Sequence, residues 1–231
     1  MNRRVTVEIA VDSLEDAVAA QQGGAHRLEL CSDLAQDGLS PSPALLAAVR
    51  AAVSIPVFVM VRPRAGGFQY TDKEAAEMAR QIERCKEEGA DGIVLGLLDA
   101  ERNIDIVRTQ KLIGLAAPLS VTFHRAFDGA AEPFNALEGI IACGATRLLT
   151  SGQKETAIAG KGTIRGLAER SNGRIIILPG AGIDASNVKE LTEIPGITEV
   201  HLSKGVKRKD AHGDLSVDPR LVESFIAGIN A

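Results

Sequence analysis

Short runs of β-forming residues alternate with longer stretches of helical periodicity along the whole chain. The strand candidates lie within segments 5–11, 23–32, 55–62, 88–97, 118–124, 143–152, 174–180 and 195–204. The segments with helical spacing of apolar residues are 13–22, 42–52, 72–88, 105–115, 133–143, 155–171, 184–193 and 218–228. A strand followed by a helix, eight times over, predicts an α/β fold built on parallel strands.

A fourfold internal repeat favours a closed arrangement of these units. The repeated segments are GGAHRLELCS (23–32), EGADGIVLGL (88–97), CGATRLLTSG (143–152) and PGITEVHLSK (195–204). Each begins near a glycine, as is common at helix C-termini, and continues into a strand-like run. Two-strand units repeated around a ring predict a single TIM (β/α)8 barrel, and the 231 residues are close to the roughly 250 typical of that fold. We expect one domain over residues 1–231, with a doubly wound open sheet as the alternative.

Composition and charge exclude several classes of protein. Hydrophobic residues make up 45% of the chain, and the 26 basic against 30 acidic side chains argue against a nucleic-acid-binding protein. No apolar run approaches the roughly 20 residues that a membrane span needs, and the first residues turn acidic where a secretory signal is apolar. Cys31, Cys85 and Cys143 are too widely spaced to suggest a disulfide scaffold. We therefore expect a soluble cytoplasmic protein.

Polar residues within each predicted strand share one parity, whereas the other parity is mostly Val, Ile and Leu. These polar residues are Glu8, Arg27, Glu29, Cys31, Arg62, Ser120, Thr122, His124, Arg147, Ser151, Glu199, His201 and Ser203. Alternate side chains of a strand face opposite sides, and the outer wall of a barrel packs on helices. The polar set is therefore predicted to face the barrel interior.

Charged residues inside a barrel have two interpretations. Arg27, Arg147 and Glu199 begin their strands, which favours a structural ionic network that neutralises Glu8, Glu29 or Glu199. Residues near the strand ends lie where barrel enzymes carry out their chemistry. This second set comprises Glu29, Cys31, Arg62, His124 and His201. Glu8 fits either interpretation.

Loops after the strands add candidate ligands. In RPRAGGFQY (62–70), Arg62 and Arg64 suit a carboxylate or phosphate, and in FHRAFD (123–128) Arg125 lies between His124 and Asp128, which suit acid–base chemistry or metal binding. The loops PGAGI (179–183) and SKG (203–205) follow the last two strands, which commonly bind phosphate in this fold. Their candidate anion-binding residues are Gly180, Gly182 and Ser203. Cys85 and Cys143 fall on predicted helices, where burial as small hydrophobic residues is expected.

With these residues assembled, the chain resembles the CutC family of copper homeostasis proteins. The resemblance is carried by VEIAVDSLEDAVAAQQGGAHRLELCSDLAQDGLSPS, IPVFVMVRPRAGGFQYTD, DGIVLG, PLSVTFHRAFD, RLLTSGQK, ILPGAGI and EVHLS. It implies a cytoplasmic TIM barrel associated with copper tolerance or copper binding, and a homo-oligomer. Copper binding in the family is attributed to cysteines inside the barrel, which here match Cys31 alone. Ala10 stands where family members often carry a second cysteine, and the region after strand eight is short.

Three functions follow as hypotheses. In a copper-handling protein, Cys31 and His201 are the predicted metal ligands, with Met60 or His124 as helpers, since Cu(I) favours soft ligands. In an enzyme acting on a small anionic or phosphorylated metabolite, the loop arginines and glycines bind the anion. Its predicted catalytic residues are Glu8, Glu29, His124 and Asp128. A scaffold protein binds neither copper nor an anion.

The strand ends of one parallel barrel meet at a common rim, which yields a geometric prediction. We expect one cavity to be lined by Glu8, Glu29, Cys31, Arg62, His124 and His201. At least one carboxylate should contact Arg62 or His124, because an unpaired buried charge is costly.

Overall fold

Strands and helices alternate as the hydrophobic pattern predicts in the computed structural model, which describes residues 5–209 and 215–230. The barrel strands are β1 (Thr6–Val11), β2 (Arg27–Leu30), β3 (Val57–Met60), β4 (Gly92–Leu95), β5 (Ser120–Phe123), β6 (Arg147–Thr150), β7 (Ile176–Pro179) and β8 (Glu199–Leu202). The helices are α1 (Leu14–Gln22), α2 (Pro43–Ala52), α3 (Asp72–Glu87), α4 (Ile106–Ala116), α5 (Pro133–Ala142), α6 (Lys161–Ser171), α7 (Val188–Thr192) and α8 (Pro219–Asn230). All sixteen predicted segments are confirmed.

The eight strands form one parallel sheet in the order β7-β6-β5-β4-β3-β2-β1-β8. The edge strands β7 and β8 lie against each other, so the sheet curls into a nearly closed barrel. The TIM-barrel prediction is therefore confirmed, and the open-sheet alternative is wrong. In the register of β1 with its two neighbours, Glu8 lies opposite Arg27 on one side and His201 on the other.

Two helices are shorter than their periodicity predicts. Helix α6 begins at Lys161 instead of near residue 155, because the preceding turns pack against neighbouring loops. Ala157 donates its backbone N–H to the carbonyl of Ala181, and a Cβ on Gly160 would lie within 1.9 Å of the Ser151 carbonyl oxygen. Helix α7 has five residues. These turns bring the loops after β6 and β7 together at the carboxyl end of the barrel.

The helices cover an apolar outer wall, and their cysteines are part of it. Ile9, Leu28 and Val59 are fully buried on the outward parity of their strands. Cys85 on α3 and Cys143 at the end of α5 are buried free thiols, as predicted. Within residues 5–209 and 215–230, none of the helices has the length and apolar character to cross a bilayer.

A two-stranded antiparallel ribbon follows β8. It consists of β9 (Lys207–Lys209) and β10 (Leu215–Val217), and Asp16 of α1 fastens it to the barrel. The Asp16 carboxylate accepts from Lys207 Nζ at 2.6 Å and from the backbone N–H of Val217 at 2.8 Å. The ribbon thereby fixes the segment that continues from the mouth of the barrel.

Buried charges close the amino-terminal end of the barrel. Arg27 Nε lies 2.5 Å from Glu8, and Arg27 Nη2 lies 2.5 Å from Glu199, which also accepts from Arg147 Nε at 2.9 Å. Both guanidinium groups lie over the Phe58 ring, at 4.8 and 5.2 Å from its centroid. We call these residues, Glu8, Arg27, Phe58, Arg147 and Glu199, the basal cluster. Its ion pairs confirm the structural interpretation of the two arginines and Glu199.

Candidate functional site

A cavity of about 470 Å³ opens at the carboxyl end of the strands, which is where barrel enzymes place their active sites. Its chemically active lining residues come from three strands, β2, β5 and β8, or the loops that follow them. They are Glu29, His124, Arg125, His201, Ser203 and Lys204. The volume is that of a small-molecule site.

Glu8, His201 and Glu29 form a chain from the basal cluster to this cavity. His201 Nδ1 lies 2.8 Å from Glu8 Oε1, and because a carboxylate only accepts, the imidazole donates through Nδ1. The other ring nitrogen, Nε2, faces Glu29 Oε2 at 3.7 Å. The second oxygen of Glu29, Oε1, is buried without a hydrogen-bond partner. The arrangement fixes the imidazole from behind and leaves a carboxylate oxygen for a ligand.

The two carboxyl groups in this chain of residues have pKa values shifted in opposite directions. Burial raises the pKa of Glu29 to about 7, the charge of Glu8 adds to the effect, and His201 opposes it. Burial acts in the same direction on Glu8, but Arg27 and His201 outweigh it and hold the pKa of that carboxyl well below its usual range. The two carboxylates also raise the pKa of His201 against the effect of its burial. Glu29 is therefore the group able to exchange a proton near neutral pH.

The surroundings of His124 disfavour a positive charge on its imidazole, in contrast to those of His201. Its Nδ1 accepts the backbone N–H of Ala126 at 3.1 Å, and its ring packs on Phe68 with 5.1 Å between centroids. Burial, reinforced by the nearby Arg62 charge, lowers the pKa of His124 to about 3. This environment favours the neutral imidazole, and proton exchange by His124 stays a prediction.

Arg62 and Arg64 brace loops instead of facing the cavity. Arg62 donates to the backbone carbonyls of Gln36, Gly38 and Gly66 at 2.7–3.1 Å. Arg64 donates to Glu74 and to carbonyls of its own loop. These contacts engage both guanidinium groups within the protein, and anion binding by the two arginines stays a prediction. The predicted carboxylate contact is wrong, because among the described residues no carboxylate pairs with Arg62 or His124.

Asp128 organises the loop after β6. Its two oxygens accept from Thr150 Oγ1 at 2.5 Å, from Gln153 N at 3.0 Å and from both the N–H and the hydroxyl of Ser151. Arg125 Nε completes the set at 2.8 Å. Asp128 thus has a structural role in this loop and its catalytic role stays a prediction, whereas Arg125 itself lines the cavity.

The loops after β7 and β8 form the remaining wall. Gly182, Ser203 and Gly205 line the cavity together with Lys204, which makes no ion pair with another described residue. A Cβ on Gly205 would lie 2.2 Å from the Ile183 carbonyl oxygen, so the two loops pack in direct backbone contact. Gly180 lies behind the lining, where a side chain would collide with Leu149. The location predicted for anion binding therefore lies on the cavity, with Gly180 in a packing role.

The thiol of Cys31 lies beside the cavity and not in it. Cys31 packs with Met60, Phe58 and Val94, and a Cβ on Gly38 would lie 3.2 Å from its sulfur. Burial, with the charges of Glu29 and Asp12 adding to it, raises the pKa of this thiol well above its usual range. Met60 does line the cavity, as does Ala10 at the position of the absent second cysteine.

The side chains that lie close enough together to hold a metal ion are not the predicted pair. Within the described part of the chain, one group of three has ligand atoms within 4.8 Å of one another, namely Glu8, Glu29 and His201. Cys31 is outside this group, so the predicted pairing of Cys31 with His201 is corrected. Oxygen and imidazole donors match harder cations than Cu(I), which favours thiolate and thioether.

Of the six residues predicted to share one cavity, three line it: Glu29, His124 and His201. Glu8, Cys31 and Arg62 are buried directly behind the lining. Sequence reasoning overlooked Phe68, which separates Arg62 from His124, and Lys204. Both residues lie in the glycine-rich, charged loops that the sequence analysis identified as candidate ligand-binding loops. An aromatic or basic residue next to the glycines of such a loop could have indicated them.

The comparisons with known proteins agree with this architecture. The sequence model of the CutC family matches residues 5–206. A CutC protein of Chromobacterium violaceum and the human copper homeostasis protein cutC homolog are each 45% identical over 197 residues, covering 85% of this chain and 80% and 72% of their own. A crystal structure of a CutC protein from Streptococcus agalactiae, 31% identical, has a TM-score of 0.81 over 85% of this chain and 97% of its own. The chain therefore belongs to the CutC family.

Proposed function

We propose that this protein is an enzyme that moves a proton on a small anionic metabolite bound in the barrel mouth. The observation that carries the proposal is Glu29, which lines the cavity, is 4% exposed and has a buried carboxylate oxygen without a hydrogen-bond partner. A buried carboxyl whose pKa lies near neutrality is suited to accept and return a proton. Unsatisfied buried oxygens are rare, and a ligand that reaches Glu29 Oε1 would satisfy this one.

His201 supports Glu29 in this role. Its Nδ1–H is committed to Glu8, so only Nε2 remains for exchange with Glu29 or with a ligand. Burial lowers the pKa of this imidazole, but the carboxylates of Glu29 and Glu8 outweigh burial and raise it above its usual value. Protonated His201 therefore stabilises the ionised Glu29 and gives the pair a proton to donate.

Positive charge around the cavity favours an anion. Arg62 is buried behind Phe68 and is compensated by backbone carbonyls alone among the described residues. Lys204 and Arg125 lie on the lining itself together with Asp37, and Arg125 is paired with Asp128. The positive charge of the buried Arg62 guanidinium favours a negative ligand through a region of low dielectric.

The proposal is tested by thermal unfolding in the presence of small carboxylates and phosphate esters. At least one anion should raise the Tm of the natural protein and of Arg174→Ala, a surface variant, by equal amounts. Lys204→Ala should show a smaller shift, because it removes a cation from the lining. Failure of every anion to raise the Tm at about 10 mM would contradict the proposal, since a ligand that binds the folded state stabilises it.

The acid–base role has its own readout. As the pH rises through about 7, Glu29 ionises and repels an anion, so the affinity of the natural protein should fall. Glu29→Gln keeps the shape and removes the charge, and its affinity should not change over this range. Equal pH profiles for the two proteins would rule out Glu29 as the titrating group.

Copper handling is the second candidate, with copper as cargo. The thiol of Cys31 and the thioether of Met60 lie in one cluster, and these are donors that Cu(I) favours. The human relative is named a copper homeostasis protein. Anaerobic Cu(I) titration against a competing chelator should show tight binding that Cys31→Ser and Met60→Leu each weaken. Binding that is unchanged in both variants would exclude this pair as the site.

Three further expectations stay predictions. They are the cytoplasmic location, assembly into a homo-oligomer and the lack of a nucleic-acid partner. Size-exclusion chromatography with light scattering would measure the assembly directly.

A further inference from the structure

We infer that His124 is a neutral hydrogen-bond donor for a carbonyl oxygen, and that the substrate is a small anion with a carbonyl group beside the carbon from which Glu29 takes a proton. The inference rests on the proposed function, because it needs Glu29 as the base. It adds the reaction class and the chemical feature that the cavity recognises.

The proton position on His124 follows from its surroundings. The backbone N–H of Ala126 can only donate, so the ring nitrogen that it meets at 3.1 Å, Nδ1, must accept and carry no proton. In a neutral imidazole the proton then lies on Nε2. The ring cannot shift easily, because it packs on Phe68 and a Cβ on Gly96 would lie 2.5 Å from its Nδ1.

The Nε2–H group of His124 is prepared for a ligand. Nε2 is buried without a hydrogen-bond partner, the residue is 3% exposed, and its side chain lines the cavity. A buried donor without an acceptor is costly, and a ligand oxygen would remove that cost. Burial and the Arg62 charge behind Phe68 keep the imidazole neutral, so it donates without transferring its proton.

Two unpartnered groups of opposite character therefore line one cavity. Glu29 Oε1 needs a proton or a donor, and His124 Nε2–H needs an acceptor. A base combined with a neutral imidazole donor is the pairing that proton abstraction beside a carbonyl requires. A simple alcohol or carboxylate offers the imidazole no oxygen on which negative charge develops during the reaction.

The proposed step is balanced without a further reactant. Glu29 takes the proton from the carbon, the electron pair of the C–H bond forms a C=C bond, and the carbonyl π pair moves onto oxygen. That oxygen gains negative charge, which the His124 Nε2–H hydrogen bond stabilises. The carboxyl of Glu29 exchanges this proton with solvent and then gives a solvent-derived proton to the same carbon, while the electron pair on oxygen re-forms the carbonyl, so the substrate is regenerated with a hydrogen from solvent.

The test is deuterium incorporation followed by proton NMR in D2O. The probes are pyruvate and dihydroxyacetone phosphate, with lactate and glycerol 3-phosphate as alcohols of matched charge. The natural protein and the surface variant Arg174→Ala should both exchange the proton beside the carbonyl in at least one probe. Glu29→Gln should abolish exchange, and His124→Phe should slow it by about 100-fold, the effect of removing one such donor.

His124→Gln distinguishes donation from a structural role, since its amide N–H can donate near the position of Nε2. It should recover part of the rate lost in His124→Phe, with the pH profile of the natural protein unchanged. Binding of carbonyl and alcohol probes with no exchange would overturn the inference and leave the proposed function standing. Binding of neither class would overturn both. Equal rates in His124→Phe and the natural protein would remove His124 from the mechanism.

Discussion

Arg27 is the residue whose removal should most damage the stability of the barrel. Its guanidinium lies 2.5 Å from both Glu8 and Glu199 and 4.8 Å from the Phe58 ring centroid. The side chain is 6% exposed and that of Glu8 is fully buried. Arg27→Met keeps much of the apolar volume but leaves Glu8 without its strongest partner.

The expected loss follows from the burial of this carboxylate. Removing one partner of a buried ion pair typically costs about 3–5 kcal/mol, because the remaining charge stays desolvated. Arg174→Ala is the matched control, since Arg174 pairs with Glu138 at 2.8 Å on an exposed surface. Exposed pairs are screened by solvent, so the control should lose much less.

The pH dependence of the loss tests the cause. In the natural protein the pKa of Glu8 is lowered to about 2, so its stabilising contribution is present above pH 4.5 and is lost as the pH falls towards 2. Without Arg27, burial raises the pKa of Glu8 above 4.5, and the folded variant keeps a proton that the unfolded chain releases. The variant should therefore lose stability as the pH rises above 4.5.

Urea unfolding followed by circular dichroism at pH 4.5 and pH 7 measures both effects. The deficit of Arg27→Met relative to the natural protein should be larger at pH 7. A deficit no larger than that of Arg174→Ala, or one that does not change with pH, would refute the assignment of the basal cluster as an essential ionic network.

Three other predictions concern the site and its supports. Asp128→Ala should lower the free energy of unfolding by about 3 kcal/mol, because it leaves several donors of the β6 loop unsatisfied, and urea titration against Asp128→Asn measures it. Glu29→Gln should gain stability relative to the natural protein as the pH rises from 4.5 to above 7, since the raised pKa of Glu29 costs stability over that interval. An unchanged difference would contradict the raised pKa. Ellman's reagent should label none of the buried thiols, Cys31 included, rapidly in the folded protein and all three after unfolding.

Strand parity made the fold and the interior charges predictable. The alternation of Glu8 with Val7 and Ile9 has a period of two, and a one-residue shift would have put the charge against the helices. Because the outer wall of the barrel must be apolar, the alternation predicted which residues of each strand face the helices and which face the barrel interior. The same argument placed Glu29 and His201 inside, and both line the cavity.

The predictions failed where a side chain leaves the end of a strand. Arg62 lies beyond the last residue of β3, where loop conformation decides its direction. Its acceptors are backbone carbonyls of Gln36, Gly38 and Gly66, and two of these are glycines with positive φ. Backbone carbonyls carry no sequence signal, so neither this brace nor the Ala126 N–H that fixes His124 could be read from the residues.

The basal cluster joins parts of the chain that are far apart in sequence. Glu8, Arg27 and Phe58 come from the first quarter of the chain, whereas Arg147 and Glu199 come from the second half. The internal repeat suggests a ring assembled from similar quarters, and each half of the chain holds one basal charge of either sign, Glu8 with Arg27 and Arg147 with Glu199. The bond from Arg27 to Glu199 joins these two ion pairs, and it forms only when β8 closes the ring against β1. Fragments that end before β8 lack Glu199, the partner of Arg27 and Arg147, and should therefore fold poorly. The repeated segments resemble one another in sequence but should not fold independently.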